Sequence, residues 1–395
     1  MKNKKQIKSA MVPVVMLSTA IALRQMSMTI VMPFISTYCK TLVGYTPLLA
    51  GVALGMFGLT QAIFQIPFGI LSDRYGNKKM VLIGLAQVVI GLTLAYFSKN
   101  IGVLIFARAL QGSGAIIGVA YSWTVGMVDE DKRTTALSIL GAFVSVAAAL
   151  AFAVGPLLRG FMSVNQMFLV CAMLLFCNGL YILFFLKDTK MTNSGKIPQS
   201  GHIRILLKDK TFIIMNLAAF LNNFMMVSVF YGVPIYLDKV TGQNGMWKIF
   251  VPAIVIAILL MKAAVKLAEN GYNHQILLAS FLVSSLSILF FYEKSYLFLF
   301  VGMALFLGGY ISLATIVATN VNDIVEDSYR GTANGIFNSF QYIGSFLGSI
   351  VTAAIWATSD RLAWLVVIGV GIIGLLLIIL RKPSQEKIRT TEDIL

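Results

Sequence analysis

Acidic side chains are scarce in this 395-residue chain: 16 Asp and Glu stand against 31 Lys and Arg. None of the sixteen falls in the middle of an apolar stretch; they lie in polar loops, in tails or near the ends of apolar segments. Chemistry that needs paired buried carboxylates, for acid–base work or for holding a metal, is therefore excluded from the apolar interior. Histidine is limited to His202 and His274, both at or near polar loops. Cysteine is limited to Cys39, Cys171 and Cys177, whose spacing fits neither a metal site nor a disulfide framework. The sequence contains no P-loop and no nucleophile–base arrangement. These absences argue against an enzyme, an ATP-driven machine, a metal centre and a bound cofactor.

What the chain has in quantity is apolar surface. Hydrophobic residues make up 58% of it and charged residues 12%, against about 25% charged in a soluble domain. Stretches near the ~20 residues that cross a bilayer recur at 11–38, 46–71, 80–98, 101–127, 134–158, 165–186, 211–237, 247–268, 274–292, 296–321, 332–357 and 362–380. This predicts an all-α integral membrane protein with twelve transmembrane helices. The first stretch is too long for a signal-peptide core and carries Arg24.

The net charge of +15 is patterned along the chain in a way that excludes nucleic acid as its partner. With the N-terminus inside, the inner loops and ends collect 22 of the 31 Lys and Arg and the outer side seven; Arg24 and Arg108 lie within spans. That asymmetry predicts both termini in the cytoplasm of a multi-pass plasma (inner) membrane protein, with lipid headgroups as partners of the basic loops.

The segment 187–210, containing KDTKMTNSGKIPQSGHIR, interrupts the apolar pattern and reads as a cytoplasmic linker. It divides the chain into six-helix bundles at 1–186 and 211–381, followed by a short tail at 382–395. The two parts echo each other. Arg133-Thr134-Thr135-Ala136 returns 197 residues later as Arg330-Gly331-Thr332-Ala333, Pro33 returns as Pro234, and Asp73 has a degenerate counterpart in Glu269. Parallel six-helix repeats leave this kind of trace.

Residues 58–79, GLTQAIFQIPFGILSDRYGNKK, run from a glycine-rich apolar helix into a tight polar turn, Gly69-x-x-x-Asp73-Arg74-x-Gly76-x-Lys78-Lys79. The glycines let helices approach closely, and Asp73 is placed where a neighbouring helix N-terminus would attract it. This turn resembles motif A of the major facilitator superfamily. With Gln61, Gln65 and Pro67 in the preceding helix, the stretch resembles the YajR-like drug:proton antiporter branch. Arg108-x-x-Gln111-Gly112-x-Gly114-Ala115 resembles motif B, linked in that superfamily to proton coupling. Gly155-Pro156 with Gly160 resembles the exporter-type motif C, with Ala151 and Arg159 standing where the family has glycines. Two family positions are also altered near motif A: Asn77 follows the second glycine, and Gly126 falls where the branch carries a carboxylate ending helix 4. A cytoplasmic latch built on Asp73 would be weaker, or would recruit Asp129, Glu130 or Asp131. The tail is too short to form the soluble C-terminal domain that some members of the branch carry.

Arg24 and Arg108 are the foremost candidate residues, because a charge at mid-bilayer costs roughly 2.5–3.5 kcal/mol or more and must face a wet cavity or a partner. Helical spacing puts Arg108 and Trp123 on one face. Gln61, Gln65, Asn223, Asn338 and Gln341 are the uncharged candidates for a substrate or coupling cavity, because the resemblance implies that helices 1, 4, 7 and 10 line it, with parts of 2, 5, 8 and 11. Each of these polar residues also has a plainer role open to it, interhelical hydrogen bonding. The resemblance implies a monomeric secondary transporter, and the leading expectation is a proton-coupled exporter of small amphipathic or drug-like solutes. Buried arginines without a carboxylate suit neutral or anionic solutes better than cations. An importer or facilitator of an organic anion is therefore a second expectation, and a non-transporting membrane sensor a third.

Overall fold

A backbone surrounded by hydrocarbon must satisfy its own hydrogen bonds, and the apolar stretches accordingly become helices. The computed structural model describes residues 2–188, 206–325 and 330–381. Its first elements are α1 (Lys2–Ile30), α2 (Ile35–Cys39), α3 (Pro47–Tyr75), α4 (Asn77–Phe97), α5 (Ile101–Ser113), α6 (Ile117–Gly126), α7 (Arg133–Arg159) and α8 (Val164–Phe185). They continue with α9 (Lys210–Thr241), α10 (Trp247–Leu267), α11 (Asn273–Ser287), α12 (Tyr296–Ile324), α13 (Arg330–Trp356) and α14 (Asp360–Ile379). The expected linker lies mostly, and the tail wholly, outside the described residues.

Polar residues set the helix starts. Side-chain oxygens of Thr46, Asn100, Asp209 and Ser359 accept from the first-turn amides of α3, α5, α9 and α14, and Ser163 forms a reciprocal capping box with Gln166 at α8. Among the described residues, ten stretches are long and apolar enough to cross a membrane. One of them, Trp247–Tyr292, holds two crossings folded back at Asn270 and Gly271. The more polar α13 supplies another.

Two of the expected spans break part-way, and the span 274–292 finishes as a 3-10 helix over Ile288–Tyr292. The first breaks at Met32–Phe34, a 3-10 turn containing Pro33, which has no N–H to continue an α-helix. The span 101–127 breaks at Gly114 (φ −73°, ψ 61°). There the chain lies so close to α4 that a Cβ on Gly114 would strike the Gly84 carbonyl. Apolar periodicity runs through both breaks, so they are corrections to the sequence-based expectation.

The packing repeats itself with a two-fold logic. α1 against α7 is matched by α9 against α13, α3 against α5 by α10 against α12, and α4 against α8 by α11 against α14. Between the two halves, α3 against α13 is matched by α10 against α7. The tight turns follow the same rule. Gly76 and Gly271, after the second crossing of each half, both have φ +94°, a backbone conformation that favours glycine.

We call the end where α1 begins the near end and the opposite one the far end. At the far end the halves are pressed together. Gly51, Gly55 and Gly58 of α3 sit against Ala353, Ser349, Phe346 and Tyr342 of α13, leaving no room for a side chain. Phe152 of α7 stacks on Phe230 of α9 (4.7 Å, 5°), which stacks in turn near Phe250 of α10 (6.0 Å, 6°). Among the described residues, two hydrogen bonds seen to cross between the halves lie here: Tyr231 Oη to the Pro47 carbonyl (3.0 Å) and Arg159 Nη1 to Asn244 Oδ1 (3.4 Å). Within the second half, the Tyr236 hydroxyl donates to Asp360 Oδ2 (2.7 Å) and accepts from Trp364 Nε1 (3.1 Å), while Lys294 pairs with Asp360 and sits 4.8 Å from the Tyr236 ring centroid.

Candidate functional site

Arg24 falls near the middle of the span Met11–Cys39 and is 0% exposed. Its Nη2 donates to Gln61 Oε1 on α3 (2.8 Å) and to the Gly114 carbonyl (3.3 Å). The break after α5 exposes that acceptor: the Gly114 carbonyl, which also takes the Ile116 amide (2.9 Å), lies at the C-terminal end of α5, where partial negative charge faces the cation. Arg24 Nε and Nη1 are buried with no partner. Arg108, 2% exposed, donates from Nη1 to Gln111 Oε1 (2.7 Å) and from Nε to the Ala53 carbonyl on α3 (3.4 Å).

Phe57 lies between the two guanidiniums. Arg24 Cζ is 5.6 Å and Arg108 Cζ 5.0 Å from its ring centroid, contacts worth about 0.5–2 kcal/mol each. From the other half, Tyr342 meets Phe57 edge-on (6.4 Å, 89°) and brings its hydroxyl toward Arg24. Among the described residues neither arginine forms an ion pair. Gln61 Nε2, Gln111 Nε2, Trp123 Nε1 and both polar atoms of Gln65 are also buried without partners.

The sequence-derived candidates divide on this geometry. Arg24, Gln61 and Arg108 belong to one layer held together through Phe57, and Gln65 lies one turn nearer the near end. Trp123 does not share a face with Arg108. The break at Gly114 takes α6 out of register, and Trp123 packs with Val119, Ala120 and Leu140 in a separate near-end core. Asn223 donates to the Ala219 carbonyl of its own helix (3.0 Å). Asn338 and Gln341 are half-buried on α13, where the next residue, Tyr342, is the one that reaches the arginine layer. Phe57 and Tyr342 were not singled out by the sequence. Nothing distinguishes Phe57 among 27 phenylalanines, and Tyr342 stands one position beyond a polar stripe.

The motif A turn is organised by a residue from elsewhere. Asp188, just past α8, accepts from the Lys78 amide (3.4 Å) and crowds the space where a Cβ on Gly76 would stand. Lys78 Nζ donates to the Leu183 carbonyl at the end of α8 (2.8 Å). The carboxylate at the α4 N-terminus is thus Asp188, not Asp73, which has no hydrogen bond or ion pair among the described residues. Arg74 and Lys79 lie over Tyr75 (5.4 and 5.5 Å), and Gly69 has open space around it. Asp129 and Glu130 pair locally with Lys132 (3.0 Å) and Arg133 (3.3 Å). In the exporter-type motif, Gly155 lets α7 meet the Ile30 carbonyl where α1 ends, Pro156 lies inside α7, and Gly160 follows it.

Residues 17–270 and 247–393 match the sequence profile of the Major Facilitator Superfamily. The chain belongs to the major facilitator superfamily. The inner membrane transport protein YajR of Escherichia coli (strain K12) is 28% identical over 339 residues, covering 84% of this chain and 74% of YajR. The class B tetracycline resistance protein of Escherichia coli is 27% identical over 182 residues, covering 45% of this chain and 44% of that protein. Among solved structures, the nucleoside transporter NupG superposes with a TM-score of 0.74 at 14% identity, over 94% of this chain and 99% of NupG, a likeness of fold. The matches are transporters rather than enzymes. This chain is accordingly a multi-pass membrane transporter of the superfamily, with a small molecule as substrate.

Proposed function

We propose that this transporter works by alternating access in the inner membrane, as a monomer, exporting small amphipathic solutes in exchange for protons. The observation that carries this reading is the arginine–Phe57 layer: buried polar groups without partners at mid-depth, beneath a far end where the halves meet. A solute site at the midplane of two rocking bundles has that placement. The partial exporter-type motif at Gly155, Pro156 and Gly160 supports export, as does similarity to a tetracycline resistance protein. Similarity to an inner membrane transport protein supports the location. The basic near-end loops support a cytoplasmic position for both termini, with the far end, where the halves meet, on the outer side. Motif A then acts at the cytoplasmic gate, through Gly69, Asp73, Arg74, Gly76 and Lys78.

A second reading, import or facilitated passage of an organic anion, draws on the lack of a counter-charge to Arg24 and Arg108. Proteoliposomes holding a trapped pH dye separate the two. Addition of matched cationic, neutral and anionic amphipaths should move protons opposite to one charge class if exchange operates. Flux of a labelled solute without proton movement would replace exchange by facilitated passage. Ligand binding with neither flux would leave a sensor.

A further inference from the structure

We infer that the arginine layer takes an amphipathic monoanion, its carboxylate accepting from the free Arg24 Nη1 and its apolar body taking the place Tyr342 holds against Phe57. The inference rests on the reading above in treating this layer as the solute site, and it holds for either direction of transport.

The unspent hydrogen-bonding groups of the layer are unbalanced. Arg24 Nε and Nη1, Gln61 Nε2 and Gln111 Nε2 are all buried donors without acceptors, and one turn away Gln65 has both its Nε2 and its Oε1 unpartnered. Arginine nitrogens cannot accept in any orientation. A ligand that completes this set must bring acceptors. The charges agree. Two guanidiniums share one aromatic ring with no carboxylate paired to either among the described residues. A cationic solute would add a third positive charge, and a neutral one would leave Arg24 uncompensated at mid-bilayer. Arg108 has both Nη1 and Nε engaged by Gln111 and Ala53, so the donors left for a ligand are those of Arg24, which suit one carboxylate rather than two.

Access follows from the partition of the site between the halves. Arg24, Phe57, Gln61 and Gly114 belong to the first half, and the ring closing over them, Tyr342, belongs to α13 of the second. Tyr342 approaches Arg24 without satisfying Nε or Nη1. Separation of the halves at this depth uncovers those nitrogens together with the apolar edge of Phe57, a cation beside an aromatic surface.

The test is equilibrium binding to the full-length protein in lipid nanodiscs, without any gradient, of 2-naphthoate, 2-naphthylmethanol and 2-naphthylmethylammonium. Naphthoate should bind about tenfold tighter than the other two, and Arg24→Gln should abolish that preference. If Arg24→Gln does not fold, Arg24→Lys keeps the charge but loses the planar donor set; it should weaken naphthoate by about tenfold and leave the alcohol unchanged. Wild type preferring the ammonium compound, or a naphthoate preference that survives Arg24→Gln or Arg24→Lys, would overturn the assignment. So would full displacement of naphthoate by sodium chloride alone, which would mark an inorganic-ion site. None of these readouts depends on flux. Proton-coupled transport can therefore fail while the naphthoate preference stands, or the preference can fail while coupled transport of another solute persists.

Discussion

One methyl group added at Gly51 should open the far end of this transporter. Gly51 lies where α3 crosses α13, and a Cβ there would fall 2.6 Å from the Ser349 carbonyl oxygen and closer still to the Ala353 Cβ. Neither atom can swing aside, since one is backbone and the other is fixed to it. Ordinary contact begins near 3.4 Å, so the two helices must part by about 1 Å or stay strained. Overpacking of this kind costs about 1–3 kcal/mol. The cost falls on the conformation with the far end closed and vanishes when the halves separate there. Gly51→Ala should therefore shift the ratio of far-closed to far-open molecules by about 5- to 150-fold. Spin labels at Lys99→Cys and Lys239→Cys, exposed far-end positions in the two halves, would report the change by double electron–electron resonance in a background lacking the native cysteines. Gly179→Ala is the control, because nothing lies within 4 Å of its added Cβ. A distance distribution as unmoved in Gly51→Ala as in the control would refute the claim that the α3–α13 contact holds the far end shut.

Two further substitutions test other parts of the fold. Tyr236→Phe removes a donor to Asp360 and strands the Trp364 indole N–H, at a cost of about 1–3 kcal/mol; it should lower the melting temperature in detergent more than Asp360→Asn, which keeps an acceptor for Tyr236, and equal melting would count against the network. Asp188→Ala removes the carboxylate at the start of α4, worth about 0.5–1 kcal/mol; amide exchange at Lys78 should accelerate, and unchanged exchange would show that Asp188 does not cap that helix.

Hydropathy alone placed the crossings well because the bilayer imposes a length on every helix. The fold between Trp247 and Tyr292, for example, comes at residues 268–272, where the apolar run is interrupted by Glu269, Asn270 and Gly271. The break at Gly114 was hidden because its neighbours Ala115, Ile116 and Ile117 are as apolar as the helix they interrupt. Its cause is the approach of Gly84, a tertiary contact. Arg24, Gln61 and Arg108 were legible from the cost of burying charge and amide groups. Phe57 and Tyr342 were not, because an aromatic residue in a membrane helix carries no mark of what its ring touches. Asp188 was read as part of a linker, and only the packing of α8 beside α4 brings it to the motif A turn.

The repeat that relates the halves does not extend to their mid-depth charges. Counterparts of Arg24 fall within residues 219–225 and those of Arg108 within 303–309, and neither stretch contains a charged residue. The interior is thus polarised from side to side, cationic toward the first bundle and uncharged toward the second. A solute with one ionic end and one oily end would be held in a single orientation, keeping its ionic end on the same wall as the bundles rock. The duplication that supplies a symmetric rocking frame has, by losing symmetry at two positions, provided a fixed frame of reference for the cargo.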